Sequence, residues 1–402
     1  MPRRNTLGFA KYGSLFALDG ARAFVVAGFA GRLPMSMRVL GSILMVRGLT
    51  GSYVLAGGVA GTLTVAQALA SPRLGRLADR RGQRSVLVGA LVAHAAGVGG
   101  LVLAAELDAP AWTLFPPAAV AGAASLPLGP LIRARWASLA GGTPALETAY
   151  AFEAILDEIV YVVGPVIVAA LAVGVEPAAG LLGALALTAA GSVALAAQGA
   201  TEPVRAPEAD TFGTSALASP ALRTAVGAFA ALGVLLGAVD IGMVRFADEQ
   251  HRTAAAGPLL ALCALGSLVG GALYGAAEWR VDQARRLLGA TLVLTVGTAA
   301  LLLPNGTTAM AVCALVAGVG IAPTLIAGNT LVQASLARSR LTEGLTWLST
   351  GVAVGVAVGT TVSGRVVASA GSRAAFLVAV GAGGAAVVAA AAGRRHFARR
   401  RD

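Results

Sequence analysis

Charge is what this sequence has least of. Only 12% of its 402 residues are Asp, Glu, Lys or Arg, about half the roughly 25% usual for a soluble domain. A buried core does not account for so large a deficit, so the solvent of this protein is expected to be lipid. Lysine is almost missing: of 30 basic residues only Lys11 is a lysine. That excludes an ATP-driven pump within this chain, because a Walker A loop needs a lysine after its glycines. Aromatics make up 5%, and the two cysteines, Cys263 and Cys313, both lie in apolar stretches. They imply neither a disulfide framework nor a metal site. H-E-x-x-H and G-x-S-x-G are absent, and His94 is the sole histidine inside an apolar stretch. Little is left from which to build a nucleophile–base pair, so an enzyme is not expected.

What is present is apolar: 57% hydrophobic residues and a mean hydropathy of +0.79. Arginine in place of lysine, with abundant alanine and glycine, reads as a high-G+C bacterial coding bias. Small-residue patterns such as G-x-x-x-G therefore carry little weight here, although small residues do let membrane helices approach closely. The net charge of +11 is compatible with nucleic acid binding. In a membrane chain the stronger reading is that basic residues crowd the cytoplasmic loops and set orientation. No nucleic acid partner is expected.

A bilayer core of about 30 Å needs roughly 20 residues of helix. Cutting at charged or Pro/Gly-rich breaks yields twelve spans: 23–46, 50–72, 85–105, 112–134, 147–172 and 177–198, then 222–246, 254–277, 286–303, 307–333, 342–368 and 373–392. The apolar runs are continuous rather than alternating, which favours helices over a barrel. An even number of spans puts both termini on one side. Most of the 30 basic residues fall in the N-terminus, the loops on that side and the tail, including Arg133, Arg135, Arg205 and Arg280, while the opposite loops hold only Arg47, Arg245, Arg252 and Arg373. Both termini are thus expected in the cytoplasm, with Arg3, Arg4 and Lys11 ahead of an uncleaved first insertion signal.

The long polar stretch "TEPVRAPEADTFGTSALAS", Thr201 to Ser219, separates two similar halves. The expected domains are 1–198, a cytoplasmic linker at 199–221, 222–393, and a basic tail at 394–402. "AGAASLP" from Ala121 matches "AGVGIAP" from Ala317, and Glu147 and Glu343 follow at equal spacing. "GRLADR" from Gly75 aligns with "GAAEWR" from Gly275. A six-plus-six duplication is the layout of transporters built from paired helical repeats.

The most charged decamer of the first half, "GRLADRRGQR", lies between spans 2 and 3 as a short cytoplasmic hairpin. It resembles the loop 2–3 signature of the major facilitator superfamily. Gly75, Leu77, Ala78, Asp79, Arg80 and Gly82 match that signature, and Arg84 stands where a basic residue is expected. The resemblance extends over the whole chain through span count, orientation and duplication. It implies an all-α integral membrane protein whose twelve transmembrane helices form two pseudo-symmetric six-helix bundles. It also implies that Asp79 latches onto the cytoplasmic end of helix 11 and nearby arginines in the outward-facing state; an anion at a helix N-terminus gains about 0.3–1 kcal/mol. Gly75 would permit close helix contact and Gly82 the tight turn. The alternative is a solvated hairpin whose arginines only set orientation. In the second half Trp279 stands where the acid would be, with Glu278 one place earlier.

Gly164 and Pro165, in "YVVGPVIVAAL", resemble the Gly-Pro of antiporter helix 5 but lack its flanking glycines, and a lone Gly-Pro also serves to kink a helix. The helix 4 pattern of an arginine with Gln-Gly is absent from "AGAASLPLGPLIRARW".

Charged side chains at mid-bilayer cost at least about 2.5–3.5 kcal/mol and are functional candidates by default. In "FEAILDEIVY", Glu153, Asp157 and Tyr161 share one helix face, with Glu158 beside it. Asp157 is expected near the midplane and Glu153 solvated near the inner surface. Arg32, in span 1, lies at the same depth as Asp157, so it pairs with Asp157 or Glu158. Such a pair is either a proton-coupling switch or a fixed structural bridge. Asp240 in span 7 is either a cation or proton site or a partner of Arg245. His94 either titrates or packs. Gln67, Asn329 and Gln333 are candidate cavity-lining groups, and Glu343, with Trp347 four residues on, is expected to cap or tether span 11.

These features together predict a secondary transporter working by alternating access, with proton-coupled antiport exporting a small amphipathic or hydrophobic molecule. A sugar or organic-anion carrier is the second reading, and a non-transporting membrane receptor the third. A channel would show repeated charged or carbonyl rings, which the sequence lacks. The expected partners are a small-molecule substrate and the lipid bilayer. The protein is expected to act as a monomer in the bacterial plasma membrane, with no cofactor and the proton gradient as its energy source.

Overall fold

Helices satisfy their own backbone hydrogen bonds, which is what allows long apolar segments to lie in hydrocarbon. The computed structural model describes residues 10–204, 215–252, 255–277, 279 and 281–398. Among them eleven helical segments are long and apolar enough to cross a membrane: Ala21–Thr50, Gln83–Glu106, Ala111–Ala140, Ala145–Gly174, Ala179–Ala197, Pro220–Glu249, Ala256–Ala276, Gln283–Leu302, Thr307–Ser335, Arg338–Val367 and Ser369–Gly393. These are spans 1 and 3–12. Span 2 is the helix Tyr53–Arg81, whose apolar part is diluted by glycines, Thr62, Thr64 and Gln67. The described residues contain no strand, and the chain is an all-α, multi-pass membrane protein. Linker residues 205–214, with Arg205, lie outside the described residues. So do Arg3, Arg4, Glu278, Arg280, Arg399, Arg400 and Arg401 and the side chains of the basic tail.

The charged decamer is not the loop its composition predicts. Span 2 stays helical through Arg81 and span 3 begins at Gln83, so Gly82 alone makes the turn, at φ 87°. That left-handed backbone is the reason for a glycine there. Arg80 and Arg81, in the last turn, face the negative end of the helix dipole, which favours extending the helix beyond its apolar part. Spans 11 and 12 join in the same economical way, through Gly371 at φ 73°.

By packing, the chain divides into two compact units. One comprises 16–141 and 156–212, the other 1–15, 142–155 and 213–402. Span 5 therefore contributes to both, changing over between Ile155 and Leu156. The sequence repeat reappears as repeated geometry. Span 4 loses its helix over Ala124–Pro127, within "AGAASLP", and span 10 is interrupted at Val319 and Gly320, within the matching "AGVGIAP". Immediately before each break a glycine lies against a backbone carbonyl: Gly122 on Leu63 of span 2, and Gly318 on Cys263 of span 8. Gly97 of span 3 meets Ala121, and Gly297 of span 9 meets Ala317, at the same relative positions.

The second unit also holds spans 7 and 11 together through glycines. A Cβ at Gly233 would fall on the Val352 carbonyl, one at Gly355 on that of Ala230, and one at Gly359 on that of Val234. Gly237 would meet the Val356 oxygen at 2.5 Å. The G-x-x-x-G pattern discounted on composition is here the contact surface of two backbones, where close approach replaces a hydrophobic driving force.

In the first unit Arg135, fully buried, staples three spans. Its Nε donates to Gln83 Oε1 (2.8 Å), Nη2 to Leu195 O (2.9 Å), and Nη1 to Gln198 O (2.9 Å) and Thr201 Oγ1 (2.6 Å). The sequence reading counts this arginine as a loop charge. It instead satisfies carbonyls at the C-terminal end of span 6, which lack intrahelical donors. Arg135→Ala is expected to cost about 3 kcal/mol, read as a lowered melting temperature of the purified protein. Arg135→Lys should recover little, since one ammonium does not reproduce the planar fork.

Candidate functional site

Pro34 lacks an N–H, so the helix of span 1 is interrupted after Arg32 and resumes at Pro34. Arg32, at this interruption, is completely buried. Its Nη1 donates to Asp157 Oδ1 of span 5 at 2.8 Å, and Nε to Gly28 O at 3.3 Å. The other carboxylate oxygen of Asp157 accepts from Arg133 Nη2 at 2.6 Å. One carboxylate thus bridges two guanidiniums through charge-assisted hydrogen bonds, the stronger kind. The arginine side chains are 0% and 10% exposed, whereas Asp157 keeps 29%. The acid is the most exposed member of the trio.

Of the two pairings open to Arg32, the structure makes the one with Asp157. Arg133, which the sequence reading counts among the cytoplasmic charges, belongs to this cluster. Span 4 resumes at Leu128 and runs to Ala140, which puts Arg133 inside the helix. The available signal was Pro127, which closes the Ala124–Pro127 break and lengthens the span. Glu153 also departs from expectation: it is fully buried rather than solvated. Glu158 is half-buried.

A second polar group lies further along spans 1 and 5. Arg38, 4% exposed, directs Nη2 to Gln67 Oε1 of span 2 at 3.3 Å. Gln67 therefore serves a neighbouring cation. Tyr161 of span 5, 59% exposed, lies within electrostatic reach of both Arg38 and Asp157. His94, buried, places Nδ1 2.7 Å from Ala121 O, so that nitrogen carries the proton. Ser125 Oγ donates to the same carbonyl at 2.9 Å. The break in span 4 orphans the Ala121 carbonyl, and His94 has a structural reason to be where it is.

The remaining candidates are not drawn together. Asp240 is exposed, and its expected partner Arg245 pairs instead with Glu249 at 3.2 Å. Glu249 also accepts from Ser372 N (2.9 Å) and Ser372 Oγ (2.5 Å); Asp240 lies five residues before Arg245, about 1.4 turns and so on a different helix face, whereas the i,i+4 partner shares its face. Asn329 is buried and donates Nδ2 to Leu325 O of its own helix at 2.7 Å. Gln333 is half-buried. Gly164 presses on Ser36 of span 1, whose Oγ donates to Val160 O at 2.7 Å, and Pro165 lies within an unbroken helix. Packing thus accounts for the glycine. In the loop 2–3 motif Gly75 is buried, Asp79 half-buried and Arg80 exposed, all on the helix end, while Arg84 donates its backbone N–H to Glu202 at 3.1 Å.

The duplicated glutamates both tie a helix N-terminus down. Glu343, 3% exposed, accepts from Ser215 Oγ (2.7 Å) and Ala216 N (3.2 Å), the tether expected for span 11. Glu147 accepts from Arg286 Nη1, whose guanidinium lies 5.7 Å from the Trp279 ring centroid. Trp279 donates Nε1 to Tyr274 O at 2.9 Å. Where the first half has an acid, the second half has an aromatic platform under an arginine, with the acid supplied by span 5. Thr148 Oγ1 and Tyr12 OH complete this corner, donating to Gly275 O (3.2 Å) and Ala272 O (3.0 Å). Tyr12 lies outside the spans, and burial pushes its phenol up to about 12.

No protein-family model matches the chain, and no curated protein matches its sequence. Solved structures do. The human organic anion transporter MFSD10 (TETRAN) aligns with a TM-score of 0.68 and 16% identity, covering 97% of this chain and 100% of that one. A bacterial homologue of the iron transporter ferroportin, in an outward-facing state, aligns with a TM-score of 0.71 and 16% identity over 93% and 99%. The fucose:proton symporter FucP of E. coli aligns with a TM-score of 0.68 and 13% identity over 92% and 98%. Near-complete coverage in both directions, with the repeat and the twelve helical spans, leads to one conclusion: the chain has the fold of the major facilitator superfamily.

Proposed function

We propose that this protein is a secondary active transporter of a bacterial plasma membrane, using proton antiport to export a small amphipathic molecule by alternating access. Its termini lie in the cytoplasm, it acts as a monomer, and it takes its energy from the proton gradient with no cofactor and no catalysed reaction. The observation that carries this reading is the clamp of Asp157 between Arg32 and Arg133 within membrane-spanning helices. In that arrangement the guanidiniums neutralise the carboxylate. A conformational step that withdraws one of them leaves the partly exposed acid to be neutralised by a proton instead. The proton is lost again when the clamp re-forms on the other side of the cycle.

Fold does not select cargo, and the three similar structures are described as carriers of an organic anion, of iron, and of fucose with protons. Among the described residues no three His, Cys, Asp or Glu side chains are grouped to hold a metal ion, which argues against a metal cargo here. The second reading, an organic-anion carrier, is favoured by buried Arg38.

The test is flux in proteoliposomes under an imposed pH gradient, with lipophilic cations, aryl carboxylates and sugars as the panel. A gradient should accelerate movement of at least one compound, a protonophore should abolish the acceleration, and Asp157→Asn should remove it. Flux indifferent to the gradient for every compound moved would overturn antiport.

A further inference from the structure

The structure points to a binding subsite for the anionic end of an organic substrate at Arg38, Gln67 and Tyr161; this rests on the transport reading above and names its substrate class. Four arginines are buried among the described residues: Arg32, Arg38, Arg133 and Arg135. Three of them are accounted for. Arg32 and Arg133 share Asp157, and Arg135 is saturated by an amide, a hydroxyl and two carbonyls. Arg38 is the exception, with no ion pair among the described residues. Its one acceptor is the neutral amide oxygen of Gln67 at 3.3 Å, and its Nε has no hydrogen-bond partner.

A guanidinium so deep is costly unless its charge is compensated. Asp157, in reach of the same Tyr161, already holds two cations. Nε and Nη2 together form the side-on edge of the guanidinium, the edge that matches a carboxylate, sulfonate or phosphate bidentately. On Arg38 that edge carries only the long bond to Gln67. The neighbouring His94 Nε2 also lacks a partner, so an acceptor is available for a ligand hydroxyl. Arg38, Gln67 and Tyr161 each sit near the middle of their spans, Ala21–Thr50, Tyr53–Arg81 and Ala145–Gly174, too deep for a lipid headgroup. Tyr161, exposed and within electrostatic reach of the cation, offers an apolar surface for the rest of an amphipathic anion.

The experiment uses the full chain purified in a neutral detergent. Thermal unfolding is followed with benzoate, benzenesulfonate and phenyl phosphate, and with benzamide as the uncharged control. At least one anion should raise the melting temperature while benzamide does not, and Arg38→Gln should weaken the response about tenfold or more. Gln67→Glu places a carboxylate against Arg38 within the chain itself. It should raise the melting temperature without ligand and abolish the anion response. No response to any of the three anions, an equal response to benzamide, or an anion response surviving Gln67→Glu would each overturn the subsite. Flux is read separately: an anion that binds with this pattern yet never crosses a proteoliposome membrane overturns the transport reading and leaves the subsite standing.

Discussion

Asp157→Asn is expected to abolish gradient-driven transport and to lower stability together. The substitution preserves shape but removes the charge shared by Arg32 and Arg133, and it replaces one of the two accepting oxygens by an NH2 that only donates. Removing one partner of a buried ion pair costs about 3–5 kcal/mol, because the other charge stays behind. Asp157 keeps 29% side-chain exposure, so water offsets part of this, and the lower end, about 3 kcal/mol, is the figure to test by thermal unfolding. The loss of coupling should be larger in effect, since an amide takes up no proton at any pH. Adding Arg32→Met to Asp157→Asn separates the two roles. Replacing a buried ion pair by apolar groups is often neutral, so the melting temperature should recover in part while coupling does not. An Asp157→Asn protein with unchanged melting temperature and unchanged pH-driven flux would remove the clamp from the mechanism.

Gly355→Val should be the most damaging single change in the second unit. The added Cβ falls on the Ala230 carbonyl, and Gly233 Cα would lie only 2.9 Å away. Both neighbours are backbone, so no side chain can swing aside, and spans 7 and 11 must part. Overpacking typically costs about 1–3 kcal/mol and more where nothing yields; here Gly233, Gly237 and Gly359 lose their contacts with it, and failure to accumulate as folded protein is the expected result. Gly364→Ala, in the same span 11 helix, is the control. A Cβ there meets nothing within 4 Å, and alanine favours helix by roughly 0.5–1 kcal/mol. Size-exclusion profiles and melting temperatures of the two variants read the difference. Equal tolerance of both changes would refute the interlocked backbone contact.

Much of the architecture could be read without coordinates. Charge scarcity and apolar run length placed the helices, because a membrane leaves few ways to satisfy a backbone. That Arg32 would meet Asp157 or Glu158 was legible for a related reason, since opposite charges at one depth in hydrocarbon have strong cause to meet; the contact with Asp157 came only with the structure. Gly82 was legible as a turn residue through the family resemblance, although the one-residue turn it makes at positive φ was not, since the charges read as a longer loop.

Arg133 was not legible, because its depth depends on where span 4 breaks and resumes, and a break redirects every side chain after it. Glu153 was misplaced because distance from a helix end measures depth and not what packs against the side chain. The glycines show the limit most plainly. With 53 of them, spacing alone does not tell Gly355, pressed on a carbonyl, from Gly364, open on all sides.

The sequence by itself determined the medium, the number of helical spans and their duplication, since each follows from the free energy of moving apolar and charged groups between water and lipid, summed along the chain. Tertiary structure alone decided which arginines are neutralised, which glycines touch backbone, and that Arg38 has no counter-charge among the described residues. Those outcomes hang on distances of a few ångströms between residues far apart in the chain, which one-dimensional order does not contain.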